Sequence, residues 1–208
     1  MHGGEVSLFL VNWLAFGYRE VVETFFLLTK GVGMELLRLL SEGMGLHPDY
    51  FDGALSCGDT TISLNHYPRC SDSSLALGLP PHCDRNLITL LLPGVVPGLQ
   101  VSYKGDWINL EPMPNAFVVV TNGVLKSIEH RVMTNSVMPR MSVAVFIEPD
   151  VDCLIGPSEE FIGEGNPMRY RSLTYREFLR IHNVVKLGSS LNLTTNLSNS
   201  QQTQDKNT

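Results

Sequence analysis

The pattern of apolar and polar positions changes twice along the chain. From Tyr18 to Gly43, Val21, Val22, Phe25, Phe26, Leu28, Val32, Leu36, Leu37 and Leu40 recur at three- and four-residue steps, the spacing of one helix face. Gly31 and Gly33 interrupt the middle, where each glycine costs about 1 kcal/mol in a helix. The segment is therefore expected as two helices or one bent helix, with its apolar face on a sheet. Gly43, Gly45 and His47-Pro48 end it. From Thr60 the period shortens to that of strands. Thr60–Tyr67 alternates and is stopped by Pro68, and Ile88–Leu92 is an apolar run stopped by Pro93-Gly94. Leu99–Tyr103 and Trp107–Leu110 flank a turn at Lys104-Gly105-Asp106. Phe117–Thr121 leads into Asn122-Gly123, a strong turn signal, and Met141–Ile147 is the last clear strand. Closely spaced short strands predict a mostly β chain with flanking helices, a jelly roll being the leading architecture. Thr174-Tyr175-Arg176-Glu177 reads as a capping box that opens a closing helix to about Val185. After Gly188 the residues are Ser, Asn, Thr and Gln with little to bury, so a mobile tail is expected.

Composition narrows the class. At 208 residues, 43% hydrophobic and 17% charged, the chain can bury one sizeable core. Its net charge of -6 argues against a nucleic-acid partner. Cys57, Cys70, Cys83 and Cys153 form no zinc-like spacing and are expected as reduced thiols. The run from Val6 to Phe16 is too short to span a bilayer and lacks a basic flank. The sequons at Asn192 and Asn196 carry little weight without a secretory signal. These features predict a soluble, cytoplasmic protein with no membrane partner.

The candidate chemistry centres on Leu79-Pro80-Pro81-His82-Cys83-Asp84-Arg85-Asn86, which runs into the apolar segment after it. Read as a strand entrance, His82 and Asp84 share one face and Cys83 takes the other. An imidazole and a carboxylate on one face are two thirds of the two-His, one-carboxylate triad of non-haem Fe(II) oxygenases. The third candidate is His130, 48 positions on (130 − 82), far enough to return on another strand of the same sheet. Arg140 and Ser142 share a strand face with Ala144 and Phe146. A guanidinium fork beside a hydroxyl suits a carboxylate ligand; a structural salt bridge with one of the 21 acidic residues is the alternative. Asn65 and Tyr67 share another face and are suited to an oxygen-rich ligand. A zinc hydrolase with the same ligands would leave Arg140-x-Ser142 and Asn65-x-Tyr67 without a role.

In this order, Asn65-His66-Tyr67-Pro68-Arg69-Cys70, His82-x-Asp84, His130 and Arg140-x-Ser142 resemble the plant 2-oxoglutarate/Fe(II)-dependent dioxygenases. The likeness runs from about Gly31 to Leu197 and is greatest to a grass branch of the family. It implies a double-stranded β-helix in which His82, Asp84 and His130 hold Fe(II). It also implies that 2-oxoglutarate sets its distal carboxylate on Arg140 and Ser142, assisted by Asn65 and Tyr67. The expected reaction hydroxylates a small plant metabolite with O2 and releases succinate and CO2, with ascorbate as reductant and the protein as a monomer.

Two departures from the family bear on activity. Met1–Phe16 does not resemble its longer N-terminal region. Ala116–Gly123 reads as shortened, lacking an Asn-x-Gly-x-x-Leu-Glu strand between the Phe-Val-Val and the Thr-Asn-Gly. The jelly roll is therefore expected to be incomplete. The second reading is a truncated, catalytically impaired isoform or remnant, poorly stable and retaining at most metal or ligand binding. The expected organisation is a helical segment over 1–58, the dioxygenase jelly roll with its closing helix over 59–187, and the tail over 188–208.

Overall fold

The computed structural model describes residues 16–72, 76–113, 118–121, 128–165, 167–168 and 170–185. The first apolar run up to residue 15, the Asn122-Gly123 turn, the tail and both sequons lie outside the described residues. The chain divides at Pro149/Asp150 into two compact units.

In the first unit, α1 (Phe16–Gly43) is one continuous helix of 28 residues. Its glycines do not break it, and Gly33 marks its closest approach to the sheet. A Cβ there would lie 2.5 Å from Ile147 Cδ1 and 3.0 Å from Leu90 Cδ1. The missing side chain lets the helix backbone settle onto the strands. Leu37, Phe51, Ile88, Leu90 and Ile147 form the buried cluster beneath it. Val21, Leu28 and Val32, expected in the core, instead face outward at 67%, 67% and 45% exposure. The apolar stripe is wider than the strip of sheet the helix covers.

Eight strands follow. They are β1 (Thr60–Tyr67), β2 (Leu77–His82), β3 (Ile88–Leu92), β4 (Leu99–Tyr103), β5 (Asp106–Asn109), β6 (Val118–Thr121), β7 (His130–Met133) and β8 (Arg140–Ile147). They pair antiparallel in two four-stranded sheets, β1-β8-β3-β6 and β2-β7-β4-β5. This is the double-stranded β-helix arrangement. The outer face of the first sheet carries Ile88, Leu90 and Ile147 under α1, and its inner face looks toward the second sheet. The β4–β5 connection is a two-residue turn in which Lys104 and Gly105 both have positive φ, 52° and 93°. That geometry matches the twist of the strands it joins. β2 was hidden by Pro80 and Pro81. It is an edge strand with irregular register, where proline's missing N–H interrupts no ladder.

β6 pairs with β3 from Ile88↔Thr121 to Leu91↔Val118, so β3 has a partner on each side. The stretch from Asn122 to Ser127, over which a local hairpin from Phe117–Thr121 to Val124–Ile128 is expected, lies outside the described residues. β6 joins the first sheet, and β7, the next strand, joins the second.

The second unit holds β9 (Leu154–Ile155), β10 (Leu173–Thr174) and α2 (Tyr175–Val185). The Glu177 amide donates to Thr174 Oγ1 at 3.2 Å, the first half of the capping box. The second half is replaced, because Arg171 draws the Glu177 carboxylate to itself at 2.9 Å. Among the described residues, no helix is long and apolar enough to cross a membrane.

Candidate metal centre and anion pocket

His82 ends β2 and His130 begins β7, and the two are direct cross-strand partners. Their ring centroids lie 4.2 Å apart. Asp84 comes to them differently from the strand-alternation expectation, which is corrected here. β2 stops at His82, and Asp84 sits in the irregular connection to β3. Hydrogen bonds aim it instead. Thr89 Oγ1 donates to Asp84 Oδ2 at 2.7 Å, and Asn86 Nδ2 donates to Thr89 Oγ1 at 2.8 Å. Asn86 and Thr89 are both buried.

Asp84 Oδ1 then faces both rings, 3.6 Å from His82 Nε2 and 3.7 Å from His130 Nε2. The far side of each ring meets a backbone carbonyl: His82 Nδ1 lies 2.8 Å from Pro80 O and His130 Nδ1 lies 3.2 Å from Ile128 O. A carbonyl only accepts, so each Nδ1 carries the hydrogen and each ring turns Nε2 toward Asp84. One ligand atom from each of the three residues falls within 4.8 Å of the others. A convergent Nε2, Nε2 and Oδ1 with outer hydrogen bonds fixing each is the donor set and support of a two-His, one-carboxylate Fe(II) site.

The charges agree with that use. Burial pushes the Asp84 carboxyl up, but hydrogen bonds from His82 and the Thr89 hydroxyl and the attraction of His130 and His82 outweigh it, and the group lies below its usual range. Burial lowers His130, and the opposing pull of Asp84 and of the Ile128 carbonyl does not restore it. A carboxylate at Asp84 and a neutral ring at His130, the forms these shifts favour, are the forms that bind a metal.

The second cluster lies on the facing sheet. Across β1 and β8, Asn65 pairs with Ser142 and Tyr67 with Arg140, so all four side chains share one face. Arg140 is 1% exposed. Its Nη1 donates to Ser142 Oγ at 3.2 Å, and its guanidinium carbon lies 5.3 Å from the centre of the Tyr67 ring. Its Nε is buried without a hydrogen-bond partner. None of the ion pairs among the described residues includes it, so the structural salt bridge is not formed there. Burial lowers the pKa of the guanidinium, with Tyr67 opposing. A buried cation whose donors are incompletely used calls for an anion. A carboxylate would supply that charge and accept from the unused donors.

Sequence reasoning missed Asn86 and Thr89, which orient the carboxylate, and the carbonyls of Pro80 and Ile128, which orient the rings. Thr89 did carry a signal, being the one polar residue in Ile88–Leu92. His66, next to Tyr67, is exposed on the opposite strand face and joins neither cluster.

Comparison with known proteins agrees with this geometry. Residues 58–149 match the family described as the 2OG-Fe(II) oxygenase superfamily. The chain is 62% identical over 193 residues to 2'-deoxymugineic-acid 2'-dioxygenase of Hordeum vulgare, covering 89% of this chain and 57% of that protein. It is 54% identical to mugineic-acid 3-dioxygenase of the same plant, covering 88% and 56%. Among solved structures, JOX2 in complex with 2OG, Fe and JA superposes with a TM-score of 0.75 at 35% identity, over 81% of this chain and 54% of that one. The rice dioxygenase for auxin oxidation gives 0.72 at 24% identity, over 81% and 60%, a likeness of fold. The chain thus spans a little over half the length of the relatives it matches. Through residues 58–149, which contain every member of both clusters, the chain belongs to the 2OG-Fe(II) oxygenase superfamily.

Proposed function

We propose that the protein is an Fe(II)- and 2-oxoglutarate-dependent dioxygenase that hydroxylates a small plant metabolite and releases succinate and CO2. The observation that carries this reading is the pairing of two half-sites on facing sheets: a His82–Asp84–His130 cluster and a buried Arg140 with an unpartnered Nε. His82 Nε2, His130 Nε2 and Asp84 Oδ1 would hold the iron. Arg140 and Ser142 would take the distal carboxylate of 2-oxoglutarate, with Asn65 and Tyr67 beside them. Iron, 2-oxoglutarate and O2 together supply the oxidising chemistry, splitting the keto acid and delivering a hydroxyl group.

The chain's own residues supply placement. Pro80 and Ile128 hold the two rings, and Thr89 holds the carboxylate, before any ligand arrives. Burial of Arg140 strengthens its hold on a carboxylate by excluding water. The relatives' names support a plant secondary metabolite as substrate. The remainder of the reading is O2 as second substrate, ascorbate as reductant, and a cytoplasmic monomer without nucleic-acid or membrane partners; the net charge of -6 supports the exclusion of nucleic acid.

The test is anaerobic difference absorbance. Fe(II) and 2-oxoglutarate added together should produce a visible charge-transfer band that neither gives alone, and Asp84→Ala should abolish it. A parent chain that gives no band overturns the proposal.

A further inference from the structure

We propose that Gly78 and Gly98 are positioning residues for the co-substrate, because their missing side chains leave the space in which Tyr67 and Arg140 form the anion pocket. The inference rests on the reading of Arg140 as the seat of the 2-oxoglutarate carboxylate, and it assigns the depth and shape of that seat to the opposite sheet. Tyr67 and Arg140 belong to β1 and β8. Gly78 lies on β2, and Gly98 immediately precedes β4. The pocket thus lies where β2 and the entrance to β4 approach the Tyr67–Arg140 pair.

A Cβ on Gly78 would stand 2.7 Å from Tyr67 Cδ1, 3.2 Å from Tyr67 Cε1 and 3.2 Å from Val132 Cγ1. The Tyr67 ring therefore rests on bare β2 backbone, with the Arg140 guanidinium carbon 5.3 Å from its centre. Any side chain at position 78 displaces the ring against which the guanidinium lies. Gly98 acts on Arg140 directly. Its Cβ would stand 3.1 Å from Arg140 Cδ and 3.6 Å from Nε, the nitrogen that lacks a partner. The same Cβ would lie 2.8 Å from Met133 O, and the Met133 amide donates to Gly98 O at 2.7 Å, so the backbone at this seam must give as well. Gly98 also has φ of 153°, which L side chains rarely adopt. The Arg140 stem must give with it, and a charged fork displaced by a fraction of an ångström no longer meets both oxygens of a carboxylate.

The metal cluster is left out of these collisions, since neither added Cβ has His82, Asp84 or His130 among its nearest contacts. That separation supplies the test. Gly78→Ala and Gly98→Ala are made in the full chain and loaded with Zn(II), and calorimetry measures binding of 2-oxoglutarate and of 2-oxobutyrate, a keto acid without the distal carboxylate. Both variants should bind Zn(II) as the parent does and lose about tenfold or more of the parent's preference for 2-oxoglutarate. Affinity for 2-oxobutyrate should stay within the parent's range. Gly31→Ala, whose Cβ meets nothing within 4 Å, should leave the preference unchanged. Full preference in both glycine variants overturns the inference and leaves the co-substrate reading intact. Equal loss for both keto acids, or failure of both variants to fold, assigns the glycines a purely architectural role and also overturns it. A parent chain without preference for 2-oxoglutarate overturns the co-substrate reading, and this inference with it.

Discussion

Tyr67 and Arg140 are direct partners across β1 and β8, with the guanidinium carbon 5.3 Å from the ring centre. The pairing orients a buried cation without neutralising it. The ring's negative face attracts the guanidinium, yet it leaves Nε without an acceptor. A carboxylate partner in the same place would have closed the pocket to an outside ligand.

Replacing the arginine by lysine keeps the charge and loses the planar fork. Arg140→Lys should weaken 2-oxoglutarate binding by about 1–3 kcal/mol. Calorimetry on the Zn(II)-loaded chain measures it, and an unchanged dissociation constant would assign Arg140 a structural role.

Asp84 is the anionic member of the metal cluster, between the two rings. Asp84→Ala should abolish Fe(II) binding in anaerobic titration, because the two imidazoles that remain cannot offset the metal's charge. Parent-like affinity in this variant would refute the ligand assignment.

Thr89 tests the outer support. Thr89→Val preserves shape but removes the donor at 2.7 Å from Asp84 Oδ2. Metal affinity should fall about 10- to 100-fold while the far-ultraviolet circular dichroism is unchanged. Undiminished affinity would mean that the loop alone aims Asp84.

His130 should make the metal-free chain sensitive to mild acid. Its folded-state pKa is lowered, mainly by burial, so the unfolded chain takes up the proton first as pH falls. The stability this group contributes is complete above its unfolded value of about 6.5 and is lost as pH drops through its lower folded-state value. Thermal midpoints recorded between neutral and mildly acidic pH should decline more steeply in the parent than in His130→Gln. Parallel declines would exclude His130 as the source.

Gly33 sets how closely α1 approaches the sheet. Gly33→Val places a branched side chain where even a Cβ would be 2.5 Å from Ile147 Cδ1. A loss of about 1–3 kcal/mol is expected from overpacking, read by urea denaturation. Gly31→Val, in open space, serves as the comparison.

Much of this site could be read along the chain because its residue types are rare in combination. His82, Asp84 and His130 stood out by chemistry, and Arg140 with Ser142 by their shared strand face. The means of convergence was less visible. The rule that residues two apart share a face failed for Asp84, because β2 ends one residue after Pro81, at His82. Hydrogen bonds from outside the strand decide where the carboxylate points. The Asn65–Ser142 and Tyr67–Arg140 pairings depend on a register that no local pattern encodes. Gly78 and Gly98 were invisible for a related reason, since a glycine shows its purpose only through what the facing sheet puts against it. The expected loss of a strand is a different matter. Length missing from a sequence does not say whether a strand or a connection was shortened, and here β6 keeps its place beside β3.

The direct partnership of His82 and His130 has a thermodynamic consequence. β2 is an edge strand with irregular register, and β7 is its one neighbour in the sheet. A metal held by both residues would act as a clasp across that seam, closing a loop of dozens of residues much as a disulfide does. Chelation would then unfasten an edge of the barrel as well as remove a reactant, and resistance to proteolysis within residues 77–82 would rise and fall with metal occupancy.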